Sequence, residues 1–149
     1  MLRFIPCSPA ELPMTLLLEA DPNEQAVSAY LKDSYGFSAI LQEQTVGVCV
    51  VKPDALSGAE LMNIAVDPAH QAKGIGHGLL AFVIEQLRAK GFTRLELGTG
   101  TFGYQLTFYQ RHGFRVVEVV KDHFVEHYPE PIFEDGIQHQ DQLILSLDL

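Results

Sequence analysis

Residues Asn63 to Leu80 constrain the fold of this chain more than any other stretch. They read Asn-Ile-Ala-Val-Asp-Pro-Ala-His-Gln-Ala-Lys-Gly-Ile-Gly-His-Gly-Leu-Leu: an apolar strand, a turn, a basic glycine-rich loop and the opening of an amphipathic helix. Gly74, Gly76 and Gly78 let the backbone approach a ligand, and the N–H groups of a first helical turn lack internal partners. That order makes an anion-binding site suited to a diphosphate. Taken alone, the glycines also fit a plain strand-to-helix turn. Lys73 and the surrounding order favour the anion.

Two other phosphate motifs are disfavoured by their details. A Walker loop ends in Gly-Lys-Ser/Thr, whereas this segment has Gly76-His77-Gly78, so the phosphate lysine and magnesium hydroxyl are both missing. A dinucleotide fold places its glycines directly after the strand, but here seven residues separate Val66 from Gly74, and no second mononucleotide-binding half follows.

The 149 residues match one domain, residues 1–149, long enough to bury a core. No apolar run approaches the roughly 18 residues of a membrane span, and Met1 to Pro6 lacks the regions of a signal peptide. A cytosolic (cytoplasmic) protein that does not bind membranes is expected. Cys7 and Cys49 are far apart and read as reduced core thiols. The six histidines show no zinc-ligand spacing, so no metal is expected. A formal charge of −9 argues against nucleic acid, which requires basic surface, and favours cationic partners such as amines.

In chain order, Arg3 to Pro6 reads as a strand, and Ser8-Pro9 as the entry of a helix through about Leu18. Asp21-Pro22 opens another helix, through about Lys32. Phe37 to Leu41, Val46 to Val51 and Glu60 to Val66 read as strands. Ile75, Leu79, Leu80, Phe82, Val83 and Leu87 form the apolar face of a long helix that Gly91 stops. Arg94 to Leu97 is a strand followed by Gly98-Thr99-Gly100, then a helix from about Tyr104 to Arg111. Phe114 to Val120 and Leu143 to Leu147 are the sixth and seventh strands. The alternation predicts an α/β (or α+β) fold with a mixed sheet and helices on both faces.

The loop Gln71-Ala72-Lys73-Gly74-Ile75-Gly76 matches the pattern Gln/Arg-x-x-Gly-x-Gly/Ala. Downstream, Phe108-Tyr109-Gln110-Arg111-His112-Gly113-Phe114 matches a helix ending in Tyr before a Gly-Phe pair. Together these resemble the GNAT family of acetyl-coenzyme A-dependent N-acetyltransferases, most strongly from Glu60 to Val120. The final stretch, Asp122 to Leu149, resembles one bacterial branch of it. The resemblance implies a mostly antiparallel sheet with a splay between the fourth and fifth strands. It also implies acetyl-coenzyme A as cosubstrate, an amine acceptor, and a homodimer as one option, with the terminal strands as contacts. In that family the pantetheine arm pairs with backbone corresponding to Ile64, Ala65 and Val66, and the diphosphate with the loop carrying Gln71, Lys73, Gly74, Ile75, Gly76, His77 and Gly78.

Acyl transfer from a thioester to an amine requires a neutral nucleophile, a polarised carbonyl and a protonated leaving thiol. Tyr109 stands where the family has its general acid; the competing reading is a ring packed under the coenzyme or in the core. Glu60, at the start of the strand leading to the splay, resembles the family's base; the competing reading is an exposed strand-end glutamate. One departure is visible: the helix carrying Tyr109 lacks the asparagine that contacts pantetheine in many relatives, leaving Gln105 or Thr101 to take its place. The aromatic and acidic segment from Asp122 to Asp141 reads as an acceptor lid, a solvated connection or a dimer contact. The expected activity is direct transfer of acetyl to a primary amine in a ternary complex; the alternative is a non-catalytic acyl-coenzyme A sensor.

Overall fold

The computed structural model describes all residues, Met1–Leu149. Its chain divides into two compact units, residues 1–93 with Leu149, and residues 94–148.

In the first unit, β1 (Leu2–Cys7), β2 (Tyr35–Leu41), β3 (Gln44–Pro53) and β4 (Gly58–Val66) pair successively, each antiparallel to the next. From Val46 to Val51 every residue of β3 is buried, although its side chains alternate between faces. Such a strand needs cover on both sides. Helices α1 (Met14–Ala20) and α2 (Glu24–Leu31) supply one cover, where Leu16, Leu17, Val27 and Tyr30 pack with Val48, Val50 and Ala65. Helix α3 (Ile75–Ala89) supplies the other, with Leu79 against Gly47 and Phe82 edge-on to Phe37. Each fully buried aliphatic side chain contributes about 1.5–3 kcal/mol.

Two bulges adjust which side chains reach which face. Opposite β2, Val46 is an extra residue between the Gly47↔Ala39 and Thr45↔Ile40 pairs, so it joins Ala39 and Ile75 on the α3 face. Opposite β3, Met62 is the extra residue between the Asn63↔Val50 and Leu61↔Val51 pairs. Met62 and Asn63 therefore both serve the α1–α2 face. Buried Asn63 donates from Nδ2 to the Leu17 carbonyl (2.9 Å) and to the Tyr30 hydroxyl (2.9 Å), and Tyr30 donates to Asp21 (3.4 Å). A single amide thus fastens α1 and α2 to the middle of β4.

The second unit contains β5 (Arg94–Gly100), α4 (Tyr104–Arg111), β6 (Arg115–Val120), a short α5 (His123–His127), the hairpin β7 (Phe133–Glu134) and β8 (Ile137–Gln138), and β9 (Gln142–Asp148). Strand β9 lies between β5 and β6, antiparallel to both. With four strands in one unit and three in the other, the expectation of seven mostly antiparallel main strands mixed with helices holds.

Two local expectations are corrected. Ser8-Pro9 opens only a 3-10 turn, Pro9–Glu11, because Pro13 cannot continue a helix and forces a restart at Met14. Strand β5 does not end at Leu97. It runs on through Gly98-Thr99-Gly100, since β9 pairs with it as far as Gly100↔Gln142.

Both cysteines are free. Burial pushes the Cys7 thiol up, opposed by its 3.0 Å hydrogen bond with Ser38, and pushes the wholly buried Cys49 thiol up much further. Because the thiolate is the reactive form, an aromatic disulfide reagent at pH 8 is expected to label Cys7 slowly and Cys49 only after unfolding. Absorbance of the released thiolate, with and without denaturant, checks this.

Candidate functional site

The strand-to-helix connection is built by local hydrogen bonds. The Asp67 N–H donates to the Val46 carbonyl (2.8 Å), and the Asp67 carboxylate accepts from the Ala69 N–H (3.0 Å), capping the turn Pro68–His70. Gln71 then reaches back, its Nε2 donating to the Val66 carbonyl (3.1 Å). This side chain pins the loop to the end of β4, an orientation role its place in the loop pattern did not reveal. Ala72 (φ 62°) and Gly74 (φ 79°) turn the backbone left-handed, and α3 starts with Gly74 as a cap that has no side chain to offer its N–H groups. Lys73 and His77 are exposed beside this turn. The arrangement presents free helix-end dipoles and a lysine to an anion.

The loop glycines have different reasons. A Cβ on Gly74 would meet nothing within 4 Å, so its left-handed φ is what requires glycine. A Cβ on Gly78 would lie 2.7 Å from the Phe4 ring, which crosses the first turn of α3 and continues to Phe82 with centroids 6.0 Å apart. Gly78 thus admits a neighbouring ring from β1, a packing reason that the sequence pattern did not distinguish from ligand approach.

On β4, Ile64, Ala65 and Val66 pair with Cys49, Val48 and Gly47 of β3. Glu60 is exposed on the same strand, across from Lys52.

In the second unit, Tyr109 is 7% exposed, its ring edge-on to Phe108 (5.3 Å) and Phe114 (5.8 Å). Gly113 (φ 95°) turns the chain after α4 so that Phe114 closes onto this ring, and the Phe114 N–H donates to the Tyr109 carbonyl (3.3 Å). The Tyr-x-x-x-Gly-Phe spacing is therefore a packing unit that fixes the tyrosine. Gln105 and Thr101 are both exposed.

The start of α4 carries a contact that sequence reading missed. Gly103 has no side chain to cap the helix, and the Glu134 carboxylate accepts from the Tyr104 N–H (3.4 Å). Its other oxygen accepts from His139 Nε2 (2.9 Å), and His139 is buried, stacked on Phe102 at 4.1 Å and 8°. Those bonds, from His139 first and Tyr104 second, hold the Glu134 carboxyl below its ordinary value of 4.5 against an opposing contribution from partial burial. Gly98, Gly100 and Gly103 leave the room this contact needs, since a Cβ there would collide with Gln142, His139 and Glu134 respectively. In the same segment His123 and His127 stack on each other (4.5 Å).

Comparison with known proteins places these features in context. The family model for the acetyltransferase (GNAT) domain matches residues 32–116. The uncharacterized N-acetyltransferase YvbK of Bacillus subtilis is 39% identical over 135 residues, covering 90% of this chain and 87% of that protein. A Bacillus subtilis acetyltransferase solved in complex with CoA superposes with a TM-score of 0.93 at 37% identity, over 100% of this chain and 99% of the other. A GNAT family acetyltransferase from Elizabethkingia anophelis, solved with acetyl-CoA bound, gives 0.92 at 35%, over 99% and 98%.

The two glycines should respond differently to substitution. Gly74→Ala is expected to lose about 1–2 kcal/mol to backbone strain, and Gly78→Ala about 1–3 kcal/mol to overpacking. Adding Phe4→Leu should restore part of the second loss and none of the first, as read by urea denaturation.

Glu134 sets a pH dependence. Because its folded-state pKa is lowered, its contribution to stability is complete above the unfolded value and is lost as pH falls through the folded value. The difference in thermal midpoint between the native chain and Glu134→Gln should be present above the ordinary carboxyl value of 4.5 and shrink as pH falls below it.

Proposed function

Because the chain belongs to the GNAT family of acetyltransferases, we propose that it binds acetyl-coenzyme A and transfers the acetyl group directly to a primary amine in a ternary complex, with residues 1–149 acting as one N-acetyltransferase domain. The observation carrying this reading is the loop pinned by Gln71 and turned left-handed at Gly74 into the uncapped start of α3. The coenzyme diphosphate lies on the N–H groups of Gly74, Ile75, Gly76 and His77, with Lys73 alongside to supply positive charge; the Gly78 N–H already donates to the Gly74 carbonyl (3.0 Å), so Gly78 serves the close approach and not the anion directly. The pantetheine arm pairs with the backbone of Ile64 to Val66 as an added strand would. Gln105, exposed in the first turn of α4, is the polar group available to the arm there. Support for this ligand comes from the two solved relatives that hold CoA and acetyl-CoA.

In the transfer itself the amine nitrogen attacks the thioester carbonyl. Backbone N–H groups of β4 polarise that carbonyl, and the carbon–sulfur bond breaks as the tetrahedral intermediate collapses. Tyr109 donates its phenolic proton to the leaving sulfur, and Glu60 takes the proton released by the amine, directly or through water. The Phe108 and Phe114 packing of Tyr109 supports this role, because a group that must protonate one atom gains from a fixed ring.

The test is thiol release from acetyl-coenzyme A against a panel of primary amines, beside isothermal titration of the coenzyme. The native chain should bind the coenzyme and release thiol only with an acceptor. Tyr109→Phe should lower kcat on the order of 10²-fold, at the lower end of general acid–base contributions, with coenzyme affinity retained. Glu60→Gln should lower kcat/KM most near neutral pH and progressively less as the solution itself deprotonates the amine. No coenzyme binding would sink the whole reading; binding without release across the panel would favour an acyl-coenzyme A sensor.

A further inference from the structure

We propose that Glu134 and His139 are a positioning pair for acetyl transfer: together they hold the first turn of α4, and through it the Tyr109 phenol, in register. The proposal rests on the assignment of Tyr109 as the general acid.

Helix α4 has eight residues and begins at a glycine, so it supplies no cap of its own. A helix this short is marginal without outside contacts. Its C-terminal end is held by the packing of Phe108 and Phe114 on Tyr109. Its N-terminal end is held by Glu134, whose carboxylate accepts from the Tyr104 N–H, a favourable charge at that end of the helix.

A carboxylate reaching in from a distant hairpin would be a loose cap unless something oriented it. His139 does so, its Nε2 donating to the second oxygen at 2.9 Å. The imidazole is in turn fixed by the parallel stack on Phe102, by Phe124 at 5.6 Å, and by its seat over Gly100. The hairpin that carries Glu134 and leads directly into His139 is closed by left-handed Asp135 and Gly136, and by the His139 N–H donating to the Ile132 carbonyl (2.7 Å).

The receiving surface is shaped for these two side chains. Gly100 leaves room for the imidazole, Phe102 gives it a flat face, and Gly103 (φ 105°) lets the carboxylate come against the helix start. An unspecialised solvated connection would need none of these three. Residues 132–139 therefore contribute to catalysis through the start of α4. They do so at the helix end where this chain lacks the asparagine of the related pattern.

The experiment compares Glu134→Ala, Glu134→Gln and His139→Gln, each alone and the first also combined with Tyr109→Phe. Thiol release from acetyl-coenzyme A is measured with the amine giving the highest turnover, and amide hydrogen exchange is followed at Tyr104. Glu134→Ala should lower kcat about tenfold, less than the ~10²-fold cost of a 1 Å misplacement, with KM for acetyl-coenzyme A within about twofold. It should also speed exchange at Tyr104. Glu134→Gln, which keeps an oxygen for the N–H, should recover most of both. His139→Gln should fall between them. In the Tyr109→Phe background Glu134→Ala should cost nothing further, because the pair acts through the phenol.

Native kcat and native exchange in Glu134→Ala would overturn the proposal while leaving the tyrosine assignment standing. A full additional loss in the double variant would overturn it in favour of a purely structural role. Native turnover in Tyr109→Phe would overturn the acid assignment and the proposal with it. The conservative variants keep these outcomes readable where Glu134→Ala folds poorly.

Discussion

The first unit depends on burial of β3 from both sides. A strand with apolar side chains on each face is stable only between two layers, and here α1–α2 and α3 are those layers. Once β3 is enclosed, β4 is fixed beside it by the ladder from Pro53↔Ala59 to Gly47↔Val66. The loop leaving β4 then starts from a rigid edge, and Gln71 bonding to the last carbonyl of the strand carries that rigidity into the turn. The site inherits its precision from the core rather than from the loop's own composition.

Asn63 shows the same dependence in reverse. Burying an amide costs free energy unless its polar atoms are satisfied, and Nδ2 is satisfied twice, by a carbonyl of α1 and a hydroxyl of α2. Oδ1 has no partner. The amide sits beside the Met62 bulge, where β4 places two successive residues on one face, and its bonds orient the helices that cover the strand.

In the second unit, glycine positions make close approaches between distant parts of the chain. Gly98, Gly100 and Gly103 receive Gln142, His139 and Glu134, so the turn from β5 into α4 is completed by residues more than thirty positions later. The acidic and aromatic segment after β6 is consequently part of the framework around Tyr109. Its helix α5 is tied back as well, with the Phe124 N–H donating to the Gln140 carbonyl.

Much of this was legible in the amino-acid sequence. The strand, turn, basic loop and helix between Asn63 and Ala89, the helix carrying Tyr109, and seven main strands all follow from periodicity, glycine stops and turn residues, which act between neighbours in the chain. Pro13 shows the limit of that reading, since an apparent helix from Ser8 was divided by one ring. Only the tertiary structure decided that Gly78 yields to Phe4, that β5 extends to Gly100, that bulges at Val46 and Met62 reassign side chains to opposite faces, and that Glu134 caps α4. The physical reason is common to these cases. A glycine or a carboxylate looks the same in sequence whether it serves backbone conformation, a ligand or a neighbour, and which of these applies is set by side chains that folding brings from tens of residues away.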